Sequence, residues 1–140
     1  MIQKSNIFNI ALFLTIFSTT KLGAWFKYYA LFYNMNKLKI KPLSINEAYR
    51  GRRFRTPQYD TYIRQMMFIL PEKLYIPEKN ISLFIEFGYS SSASDIDNGL
   101  KCFIDCLQKK YGFNDKNITE LNVRKIKVLK GFEHIIFEIS

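Results

Sequence analysis

From residue 37 onward, apolar side chains recur at two distinct periods. Leu38 and Ile40 alternate with lysines across Lys37 to Lys41, which predicts a strand ended by Pro42. Tyr59, Tyr62, Ile63, Met66, Met67 and Leu70 return every three or four residues. That spacing predicts an amphipathic helix, with Pro57 in its first turn and Pro71 as its stop. Alternation resumes with Ile81, Leu83, Ile85 and Phe87, a second strand. Leu100, Phe103, Ile104, Leu107 and Tyr111 define a second helix, read as Asp97 to Tyr111, with Gly112 as its end signal. Asn122 to Leu129 and His134 to Ile139 read as two further strands around a turn at Lys130-Gly131. The stretch SINEAYRGRRFRTPQ reads as an arginine-dense loop punctuated by Gly51. The order β-α-β-α-β-β argues for one α+β domain: a mixed sheet with its helices on one face.

Residues 1–34 do not share these patterns. They hold Lys4, Lys21 and Lys27 and no acid, whereas all twelve carboxylates lie beyond residue 46. The apolar run from Ile7 to Phe17 is too short to span a bilayer. It resembles the apolar region of a signal peptide, with a poor cleavage site at Leu22-Gly23-Ala24. Three readings stand: a targeting or membrane-surface segment, a helix docked on the domain, or sequence ahead of a functional start at Met35, where MNKLKIK opens the domain well. The last is preferred, so 1–34 is expected to be an extension outside the functional unit and 35–140 the working domain.

Composition narrows the function. A formal charge of +9 favours anionic partners such as nucleic acid or lipid headgroups, and says nothing about fold. The two cysteines, Cys102 and Cys106, sit four apart on the second predicted helix. This is neither CxxC nor a metal quartet, and it reads as a pair of small packed thiols in a reducing compartment, which points to the cytoplasm. The single histidine, His134, cannot supply paired imidazoles for zinc and has no evident triad partner. Histidine-based mechanisms are therefore not expected.

Against this basic background, Asp95, Asp97, Asp105 and Asp115 fall within the 24 residues from Ser92 to Asp115. Asp97 alone suits the cap of the following helix. Asp95 is not needed for that task. In an extended approach to the helix, residues two apart point the same way, and two carboxylates so placed repel unless a cation lies between them. Oxygen ligands favour Mg²⁺ or Mn²⁺. Lys101, four residues after Asp97, faces the same site or makes an ordinary ion pair with Asp97 worth ~0.3–0.5 kcal/mol. Asp105, beside apolar Ile104, reads as a half-buried structural group or part of a subunit contact, and not as a metal ligand.

The run Asp95-Ile96-Asp97-Asn98-Gly99-Leu100-Lys101, then Asp105-Cys106-Leu107, then Gly112-Phe113-Asn114-Asp115, resembles the signature of the RusA-type Holliday junction resolvases. The upstream KPLSINEAYRGRR resembles that family's first strand and loop, with Pro42, Ser44, Asn46 and Tyr49 in matching places. The resemblance covers Leu38 to the C-terminus, and residues 1–34 have no counterpart. It implies a Mg²⁺-dependent endonuclease that resolves four-way DNA junctions in recombination and repair. Asp95, Asp97 and Asp115 would be its metal-binding catalytic carboxylates and Lys101 its catalytic lysine. Two departures stand out: Asn114 where the family usually has an acid, and Gly99 inside the predicted helix. Arg50, Arg52, Arg53 and Arg55 are expected to meet DNA phosphates without reading sequence. Two symmetric cuts call for two sites, so a homodimer is expected. The rivals are a basic DNA-binding protein without catalysis and a membrane-associated protein using the acid-free N-terminus. No membrane partner is expected on the preferred reading.

Overall fold

A computed structural model of the chain describes residues 35–51 and 54–140. The expectations placed on 1–34, Arg52 and Arg53 lie outside the described residues. The elements are β1 (Asn36–Leu38), α1 (Ile45–Ala48), β2 (Tyr49–Arg50), β3 (Phe54–Arg55), α2 (Pro57–Ile69), β4 (Ile81–Tyr89), α3 (Leu100–Tyr111), β5 (Ile118–Lys127) and β6 (His134–Ile139). A single-turn 3₁₀ helix, Asp115–Asn117, precedes β5.

The principal sheet runs β1-β6-β4-β5. β4 and β5 pair in parallel, as a strand pair joined through a crossover helix should. β6 pairs antiparallel with both β4 and β1. The turn at Lys130-Gly131 therefore does not make a hairpin. It carries the chain across the end of β4, so β5 and β6 flank that strand. The α+β class with a mixed sheet is as the periodicity predicts.

Alternation in β4 divides its two faces. Leu83, Ile85 and Phe87 are fully buried and join Tyr89, Ile135 and Phe137 against Ile63 and Met66 of α2 and Phe103, Cys106 and Leu107 of α3. Phe103 sits at the centre, edge-on to Phe137 at 5.3 Å and to Phe87 at 6.2 Å between centroids. Each such ring contributes roughly 1.5–3 kcal/mol through burial. The opposite face of β4 carries Phe84, Glu86 and Gly88, and it is not simply a wet face. Glu86 is 3% exposed and bonds Arg124 of β5 and His134 Nε2 of β6, the latter at 3.1 Å. Gly88 lies opposite His134, and a Cβ there would stand 2.7 Å from the imidazole.

Two differences from the sequence expectation concern short elements. The stretch read as a loop contains α1, β2 and β3. Ser44 caps α1 by accepting from Asn46 N at 3.2 Å, while Ser44 N donates to Glu47 Oε2 at 3.3 Å. Such reciprocal capping stabilises a turn too short to show a period. The first strand ends at Leu38 instead of Lys41. α2 begins as expected: Thr56 Oγ1 accepts from Tyr59 N at 3.3 Å, and Pro57 follows.

Cys102 and Cys106 are free, fully buried thiols. Burial pushes them up to about 11 and about 12 respectively, with neighbouring negative charge adding to the rise. Neither thiolate forms in the folded state near neutral pH. At pH 8 both are expected to stay unmodified by a thiol reagent in the native protein and to react once denaturant is added. Native-state modification of either would place it at the surface.

Candidate active site

The Ser94–Gly99 segment is pinned from three sides. Asn98 O accepts from Ile45 N at 2.8 Å, which ties it to the start of α1. Ser94 O accepts from Lys125 Nζ of β5 at 2.6 Å. Within the segment, Asn98 N donates to Asp95 O at 3.3 Å and Leu100 N to Asp97 O at 3.0 Å. Gly99 presses against the core: a Cβ there would stand 2.8 Å from Tyr89 Oη, 3.1 Å from Pro42 Cβ and 3.4 Å from Phe87 Cε1. The glycine in the DIDNGLK run is thus required by a close approach.

This packing corrects two expectations. Asp97 does not cap the helix. α3 begins at Leu100, its cap position is Gly99, and no side chain caps it. The first helical bond runs from Phe103 N to Gly99 O at 3.0 Å, because the Asn98 carbonyl is turned toward Ile45. Nor does Lys101 pair with Asp97. With Asp97 outside the helix, the i,i+4 spacing does not bring the two together. Lys101 Nζ lies 3.4 Å from Asp105 Oδ1, one turn further along α3. Asp105 is half-buried, as expected of it, and its Oδ2 accepts from Tyr59 Oη at 3.4 Å.

Asp97, Lys101, Asp105, Asp115, Lys116 and Glu120 line one groove of about 640 Å³ between α3 and the start of β5. Asp115 enters it from the single-turn 3₁₀ helix, which Asn114 caps by accepting from Lys116 N at 3.0 Å. Asn114, the departure from the family signature, therefore positions Asp115. Asp95 is exposed and is not among the groove's lining residues. Among the described residues no cation lies within ion-pair distance of Asp95, Asp97 or Asp115.

Also among the described residues, no three His, Cys, Asp or Glu side chains come close enough to enclose a metal ion. The donor chemistry still suits Mg²⁺. That ion commonly takes one or two carboxylates and completes its shell with water and substrate phosphate. Asp97 and Asp115 supply two such oxygens to one open groove.

The two described arginines of the expected set, Arg50 and Arg55, do not share a face. Tyr49 is opposite Arg55 in the β2–β3 ribbon and Arg50 is opposite Phe54. Arg50 and Arg55 thus project from opposite faces. Arg55 lies over the Tyr59 ring at 5.2 Å, while Arg50 lines a separate hollow with Ile40 and Lys41. The Glu86–Arg124–His134 cluster was not foreseen from sequence. Its only sequence signal is an acid at an alternating position of an otherwise apolar strand.

No protein-family model matches the chain, and no curated protein matches it. No helix among the described residues is long and apolar enough to cross a membrane.

The Gly99 contact gives a direct test. Gly99→Ala is expected to destabilise the fold by about 1–3 kcal/mol through overpacking. A denaturant melt of the variant with an unchanged midpoint would show that the segment is free to move away.

Proposed function

We propose that the chain is a Mg²⁺-dependent endonuclease that cuts branched DNA, a four-way junction resolvase acting as a homodimer in the cytoplasm in recombination and repair. The observation that carries the reading is the groove in which Asp97 and Lys101 of the DIDNGLK run share one lining with Asp115 of the 3₁₀ turn. Asp97 and Asp115 would hold the ion, with Asp95 at the approach. When bound, Mg²⁺ polarises a phosphoryl oxygen and acidifies an attacking water. Lys101 offsets charge building on the phosphate. Its pairing with Asp105, itself held by the Tyr59 hydroxyl, positions the ammonium end of that lysine. Tyr59 remains a hydroxyl donor because burial, then its bond to Tyr49 and the charge of Asp105, raise it far above the usual phenol range.

A second reading, DNA binding without cutting, is favoured by one observation: Asp95 does not line the groove, so the carboxylate trio does not converge. Incubating the protein with a synthetic four-way junction, with and without Mg²⁺, separates the two. On the nuclease reading, Asp97→Asn or Asp115→Asn lowers the cutting rate by roughly a hundredfold or more. Junction binding stays equal or becomes tighter, because one repelling charge is gone. Metal-independent binding with no cutting by the unaltered protein supports the second reading. Parallel loss of binding and of the folded state would assign these residues a structural role.

A further inference from the structure

A second cleft, of about 680 Å³, lies between α2 and α3 and shares Lys101 and Asp105 with the carboxylate groove. Its charged lining is Arg55 from β3, Asp60 and Arg64 from α2, and Lys101, Asp105 and Lys109 from α3. These charges are not equally available. Asp105 is engaged by Lys101 and by the Tyr59 hydroxyl, both at 3.4 Å. Arg55 rests over the Tyr59 ring at 5.2 Å, which fixes the guanidinium without consuming its N–H donors. Arg64 donates to a neutral group, Thr61 Oγ1, at 3.3 Å. Among the described residues, no carboxylate is within ion-pair distance of Arg55, Arg64 or Lys109. Three uncompensated cations therefore face one remaining acid, Asp60, in a concave wall.

We propose that this cleft carries the sugar–phosphate backbone of a DNA strand leaving the carboxylate groove, with Arg55, Arg64 and Lys109 each neutralising a phosphate. The inference rests on the nuclease reading for the strand's direction and names the substrate contacts of that same site. The three cations come from three elements, and the cleft meets the groove at Lys101. A polyanion with regularly repeated charge follows such a line from one hollow into the next. A small anion instead needs donors that converge on one point. Tyr59 is an unsuitable base-stacking platform, since it is 4% exposed and its face is covered by Arg55. Backbone contact without base readout is what this surface offers.

The test is fluorescence anisotropy of the full chain with a labelled synthetic four-way junction in EDTA, titrated across salt concentrations. Arg64→Ala with Lys109→Ala is compared with a charge-matched control, Lys73→Ala with Lys79→Ala, at exposed positions outside the cleft. The cleft variant is expected to flatten the log–log salt slope by about 1.4–1.8, for two lost phosphate contacts. With equal affinities at 1 M salt, that is roughly 25- to 60-fold weaker binding at 0.1 M. The control variant should change far less. Equal slopes for the two variants overturn the proposal. So does polyglutamate binding as tight as DNA with the same loss in the cleft variant, which assigns the cleft to an acidic polypeptide. Cutting of the junction in Mg²⁺ by the unaltered protein, with no slope change in the variant, removes the cleft and leaves the nuclease. Binding with the expected slope change but no cutting removes the nuclease and leaves the cleft, while no DNA binding by the unaltered protein removes both.

Discussion

The hydrogen bond from Ile45 N to Asn98 O is the constraint on which the candidate site depends. It turns a carbonyl that helix α3 would otherwise use toward the start of α1. The helix therefore begins at Leu100, and Asp95 and Asp97 remain outside it. Gly99 lets the same segment press onto Tyr89, Pro42 and Phe87. Had the helix started at Asp97, as a capping aspartate suggests, that carboxylate would be occupied by free backbone N–H groups. Moving the cap position two residues on, to Gly99, leaves its oxygens available and leaves Lys101 to pair along the helix with Asp105. One backbone bond thus decides which acid is structural and which is open to a ligand.

The far face of the sheet answers a different demand. Burying Glu86 costs several kcal/mol unless its charge is matched, and a buried pair seldom adds net stability over apolar packing. Arg124 supplies that charge from β5, and His134 adds a hydrogen bond from β6, the two strands that flank β4. Their value is in register. Parallel β5 and antiparallel β6 must each align so that their side chain reaches one carboxylate. A slip by one residue would turn both partners to the wrong face. Since Asp115 stands just before β5, fixing that strand's register also fixes where Asp115 enters the groove.

Long-period features were legible in the sequence, and features set by tertiary contact were not. The boundaries of β6 were read correctly because apolar residues dominate it from His134 to Ile139. β4 was cut short at Phe87, where Gly88 interrupts the pattern. The glycine is there to clear the His134 ring, and the strand continues to Tyr89. α1 was read as loop because four residues show no periodicity, although Ser44 and Glu47 carried its capping signal. Spacing alone suggested that Lys101 faces the site of Asp97, whereas the role of Asp115 beside them came only through the resemblance. Spacing along the chain does not tell that a 3₁₀ turn capped by Asn114 returns Asp115 to the end of α3. The burial of Glu86 was not read, since an acid at an alternating position normally faces water and its partners lie on other strands.

The parallel pairing of β4 with β5 has a kinetic consequence. Parallel neighbours cannot zip from a tight turn. The segment from Ser90 to Asn117, with all of α3, must be laid down before the ladder closes, and such long-range closure is slow relative to hairpin or helix formation. Asp97 and Asp115 lie at the two ends of that crossover. The groove's wall from Ile118 to Leu121 is therefore missing until β5 docks on β4. A chain that stops before β5 has the thiols, the amphipathic helices and both Asp97 and Asp115, yet it lacks the strand that walls the groove and does not display the groove.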